Sequence, residues 1–78
     1  MTWFSKPIGA PNATTARAKK RVERLPTSEI LMWADTAGAG ISRALSDYQR
    51  EGTGDSLEDA YTGLLTMLGV VAELRDRA

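Results

Sequence analysis

Two stretches of this chain carry apolar side chains at alternating steps of four and three, a spacing that a helix gathers on one face and a strand scatters to both. In the first, Ile30, Ala34, Ala37, Ile41, Ala44 and Tyr48 follow one another without a gap. In the second, Leu57, Tyr61, Leu64, Leu68 and Val71 do the same. Leu31, Gly38 and Leu45 run beside the first series every seventh residue, and Leu65, Met67, Val70 and Leu74 widen the second well past one face. The first band has a small-residue centre at Ala34, Ala37, Gly38 and Ala44, which lets a neighbouring helix come close.

The punctuation around these bands marks two rods. Pro26 pushes the residue before it out of the helical region. Thr27 is the expected N-cap of the first rod, with Glu29 in the first turn and Arg50 in the last, as the helix dipole favours. Gly52 or Gly54 ends it by supplying positive φ. Asp55 or Ser56 is the expected cap of the second rod, and Ser56-Leu57-Glu58-Asp59 resembles a capping box. Arg75 and Arg77 close it. The predicted fold is all-α: an antiparallel helical hairpin, about 27–51 and 56–76, joined by a short glycine-containing turn.

Upstream, residues 1–25 read as a basic N-terminal arm, and residues 26–78 as an acidic hairpin domain. The arm holds Lys6, Arg17, Lys19, Lys20, Arg21 and Arg24 against the single acid Glu23. The remainder sets four arginines against nine acids, so the formal net charge of zero conceals two surfaces of opposite sign. Pro7, Gly9, Pro11 and Asn12 break any regular element near the start. Thr14 or Thr15 can cap a short helix over about 14–25, with Ala18, Val22 and Leu25 at core-like steps. A helix of that length is marginal alone.

Size then limits what the fold can do by itself. Seventy-eight residues make one small domain, and a core of about 50 residues lies near the lower limit for independent folding. With no cysteine and no histidine, neither a disulfide nor a thiolate or imidazole zinc site can staple it. Association is the remaining stabiliser. The expectation is a homodimer that completes a four-helix bundle, or a subunit of a larger assembly. The interface residues are expected to be Ile30, Ala34, Ala37, Ile41, Leu57, Tyr61, Leu64, Leu68 and Val71. Trp3 and Phe4 are the expected arm anchor, being adjacent aromatics with large apolar area.

Catalytic chemistry has little to work with. No histidine base, cysteine nucleophile or serine elbow is present, and the acids Glu58 and Asp59 sit where a helix start wants them. Gly38-Ala39-Gly40 lacks the lysine and the preceding strand of a phosphate-binding loop. Catalytic, cofactor-binding and metal-binding residues are therefore expected to be absent. Arg17, Lys19, Lys20, Arg21 and Arg24 are the candidate anion or nucleic-acid contacts, although the segment that carries them contains no aromatic residue to stack on bases. Trp33 flanks the seam and reads as a core edge. The first residues do not read as a secretory leader and the sequence has no run of about 18 apolar residues, so no membrane contact is expected. A cytoplasmic, or phage-encoded intracellular or virion, location follows as an expectation. The primary reading is a non-enzymatic assembly protein whose arm contacts a second surface. The alternative is a small dimeric nucleic-acid-binding regulator.

Overall fold

A computed structural model describes residues 13–78. They form three helices and no strands: α1, Ala13–Val22; α2, Thr27–Glu51; and α3, Gly54–Arg77. Trp3, Phe4 and Lys6 lie outside the described residues.

Proline and glycine set the breaks. The α1 helix stops at Val22, three residues short of the predicted end, because Leu25 precedes Pro26 and the chain must leave helical geometry before it. Two backbone bonds close the end of α1, Glu23 N donating to Lys19 O and Leu25 N to Val22 O, at 3.1 and 2.9 Å. Pro26, not Thr27, occupies the N-cap of α2, with φ −60° and ψ 150° and no side-chain cap. Its ring already fixes the entry angle, which leaves the Thr27 hydroxyl free for another partner. Gly52 ends α2 in the left-handed region at φ 69°, its N–H donating to Tyr48 O at 2.7 Å. That conformation costs a residue with a Cβ about 1 kcal/mol or more. The α3 helix starts at Gly54 with Thr53 at the cap, two to three residues before the predicted caps. Asp55 and Ser56 consequently fall within the first turn, and the Ser56 hydroxyl meets that of Thr53 at 3.3 Å.

The α2 and α3 helices lie side by side with opposite directions. Thr27 meets Arg77, Gly38 faces Met67 and Ile41 packs on Gly63, so position rises on one helix as it falls on the other. The α3 face used for this contact is Ser56, Ala60, Gly63, Met67, Val70 and Leu74, a second four-three series one residue ahead of the Leu57–Val71 series. Small residues decide the choice. A Cβ on Gly63 would stand 2.7 Å from Ile41 Cγ1, so the backbones sit closer than two large faces would permit.

The α1 helix packs across α3 on one side of this pair. Its backbone passes directly over Gly69: a Cβ there would collide with Thr15 O and stand 2.9 Å from Lys19 N. Thr15 Oγ1 donates to Leu65 O at 2.8 Å. Each helix then contributes one fully buried side chain to a common core, Val22, Ile30 and Val70, with Leu25, Trp33, Ala34 and Leu74 packed around it. Three such side chains contribute roughly 5–9 kcal/mol before entropy is counted.

Candidate interaction surfaces

Among the described residues, the α1 helix covers one side of the α2–α3 pair and nothing packs on the other. Successive residues on a helix turn by about 100°, so positions two apart point nearly opposite ways. Gly69 and Glu73 face α1, and Val71 between them faces away. Trp33 lies towards α1, and Leu31 two residues earlier faces away. The same argument carries Leu64 and Leu68, each two positions from the groove-lining Thr66, to the uncovered side, and heptad spacing continues those rows to Leu57 on α3 and Leu45 on α2. Leu57, Tyr61, Leu64, Leu68 and Val71 are 41–57 % exposed, and Leu31 and Leu45 are 55 % and 48 % exposed. Half of each side chain is already against protein, and half meets water.

The expected interface residues therefore divide into two groups. Ile30 is fully buried within the chain, and Ala34, Ala37 and Ile41 are half-buried along the α2 contact face. The five from α3 form the outer stripe.

The candidate anion contacts divide as well. Lys19 is committed to the fold: its Nζ lies 3.1 Å from Glu73 Oε1 and 3.0 Å from Asp76 Oδ2. Hydrogen bonds from Lys19 to Asp76 and then Glu73 raise its pKa above the ordinary lysine value. The Arg77 guanidinium, followed by Lys19, holds the Glu73 carboxyl below the ordinary glutamate range, and Lys19 does the same to Asp76. Arg77 ties all three helices. Its Nε donates to Glu73 Oε2 at 2.9 Å, Nη1 to Thr27 Oγ1 at 3.1 Å, and Nη2 to Glu23 O at 2.9 Å. The last of these supplies a donor just beyond the C-terminal end of α1, where a cation is favoured.

Arg17, Lys20, Arg21 and Arg24 remain exposed and make no ion pair among the described residues. Three of them line an open groove of about 420 Å³, together with Thr14, Ala18, Trp33 and Thr66. The Arg21 guanidinium carbon sits 5.9 Å from the centre of the Trp33 ring. By sequence alone Trp33 is a core edge, and the basic segment contains no aromatic residue. Folding joins the two, because α1 and the first turns of α2 converge on the Val22–Ile30 core.

Among the described residues, no group of three or more acidic side chains is arranged to hold a metal ion. No described helix is long and apolar enough to cross a membrane. Comparison with protein-family models, with curated proteins and with solved structures finds no match. The functional reading rests on these two surfaces.

Proposed function

We propose that this chain is a small non-enzymatic assembly module whose working unit is a pair of copies. Each copy supplies α2 and α3 as an antiparallel hairpin, and the bare faces of two hairpins meet to form a four-helix bundle. The supporting observation is the half-exposed apolar face opposite α1. Completing the burial of a half-exposed leucine-sized side chain contributes roughly 1 kcal/mol. Seven such side chains per copy supply about 10–15 kcal/mol to a pair, against a cost of association of about 4–15 kcal/mol. A surplus of about 4–8 kcal/mol corresponds to millimolar-to-micromolar affinity.

Charge favours a second copy of this chain as the occupant. The α3 helix begins acidic, at Asp55, Glu58 and Asp59, and ends with the exposed cation Arg75. An antiparallel pairing centred on Leu64 sets Leu57 against Val71 of the other copy and Arg75 close to its Asp55. Both α1 helices then lie outside the bundle, so a pair displays two copies of the basic groove.

Sedimentation equilibrium up to about 500 µM is the test, chosen to bracket that affinity range. The expected result is a shift from the 8.5 kDa chain towards twice that mass. Leu64→Glu should hold the protein at the single-chain mass with its helicity retained. An unaltered protein that stays at 8.5 kDa throughout would refute the pair.

A further inference from the structure

The groove between α1 and Trp33 gathers charge that the fold does not use. Arg17, Lys20 and Arg21 stand at i, i+3 and i+4 on α1 and share a face, and the other polar lining comes from Thr14 and Thr66. Among the described residues, no acid lines the groove. Lys19, on the neighbouring face, is the cation of α1 that pairs with α3. Three like charges on one face repel one another, and a bound polyanion removes that repulsion.

An indole beside the cations narrows the chemistry. We infer that this groove binds single-stranded nucleic acid, with one base on Trp33 and the adjoining phosphates on Arg17 and Lys20. The incoming base replaces the Arg21 guanidinium over the ring and frees that guanidinium for a phosphate. An acidic polypeptide would satisfy the cations and leave the indole without a matching group. A duplex keeps its bases stacked inside, and Trp33 is only half-exposed beside α1, so an unstacked base is the group that can reach it. The groove lies within one copy, so the inference stands apart from the proposed pairing.

The protein has two tryptophans. Trp3→Phe therefore leaves Trp33 as the sole indole reporter. Titration with a single-stranded oligothymidylate of about 12 nucleotides, at about 50 mM salt, should quench Trp33 with a Kd of about 1–100 µM. Three phosphate contacts on a single strand predict about 15–20-fold weaker binding at 200 mM salt than at 50 mM. Combined Arg17→Ala and Lys20→Ala should weaken binding about tenfold or more, at roughly three- to fivefold per lost phosphate contact. Arg43→Ala removes an exposed cation ten residues along α2 from Trp33, about 15 Å away, and should change binding less than twofold. Helicity by circular dichroism accompanies each variant, and Arg17→Gln with Lys20→Gln substitutes where the alanine pair loses it. Absence of quenching would overturn the inference, as would equal weakening by Arg43→Ala or a duplex that binds as tightly. Equal quenching by polyglutamate would overturn it in favour of an acidic protein partner.

Discussion

Gly69→Ala tests how α1 is held. Helix propensity alone favours the change, because alanine is better than glycine in a helix interior by up to about 1 kcal/mol. Packing opposes it. The new Cβ would meet Thr15 O, Lys19 N and Ala18 Cβ, and two of these are α1 backbone with no rotamer to yield. The helix must lift or slide. Lifting it opens part of the Val22 burial, worth roughly 1.5 kcal/mol, and lengthens the Thr15–Leu65 hydrogen bond, worth about 1 kcal/mol. Forced insertion of one methyl group into packed structure carries a further 1–3 kcal/mol or so. The net expectation is destabilisation by about 2.5–4.5 kcal/mol, a fall in Tm of about 10–35 °C for a domain of this size. Gly40→Ala is the matched control, since nothing lies within 4 Å of the added methyl group. It should raise Tm by up to about 4–8 °C. Both are read from thermal melts at 222 nm and one fixed protein concentration, because association would make Tm concentration-dependent. If Gly69→Ala melts at or above the parent temperature, the close crossing of α1 over α3 is wrong.

Three further outcomes follow from the same contacts. Stability should fall as pH drops below about 4.5, because Glu73 and Asp76 have depressed pKa values when folded and the unfolded chain takes up protons first. Urea midpoints between about pH 3 and 6 should show this slope flattened in Glu73→Gln, and an unchanged slope would count against it. At the alkaline end the sign reverses: the raised Lys19 contribution is complete below 10.5 and is lost as pH climbs through its folded value. Arg77→Ala removes donors to Glu73, Thr27 and the end of α1, and should cost about 2 kcal/mol by urea denaturation. Gly52→Ala should cost about 1 kcal/mol or more from its left-handed φ, read the same way, and a neutral result would argue against that cap.

The helical class was legible because apolar spacing, Pro26 and Gly52 act locally. The assignment of faces was not. The α3 helix carries two overlapping four-three series, and hydrophobicity singles out Leu57, Tyr61, Leu64, Leu68 and Val71. Close approach selects the other, Ser56, Ala60, Gly63, Met67, Val70 and Leu74, because Gly63 and Gly38 admit Ile41 and Met67. A pattern rule that scores side-chain size as polarity overlooks such a seam. In the sequence Arg77 is a favourable charge at a helix end; its reach to Thr27 and Glu23 is a long-range contact with no local signal. The groove escaped for the same reason: Trp33 and Arg21 are twelve positions apart and meet only through the Val22–Ile30 core.

The crossing at Gly69 also determines which surfaces the protein can offer. A ten-residue helix covers one side of the α2–α3 pair, and its placement is dictated by the one α3 position on that side that lacks a Cβ where the backbones approach. Docking α1 there spends Lys19 on Glu73 and Asp76 and turns Arg17, Lys20 and Arg21 outward beside Trp33. Among the described residues nothing covers the opposite side, and the largest apolar side chains of α3 are half-exposed there. One close contact thus separates a basic groove from an apolar face on opposite sides of a two-helix layer. Gly69→Ala should therefore disturb the groove while leaving the apolar face in place, and self-association in that variant should persist when groove binding is lost. Loss of both together would mean that the two surfaces are not independent.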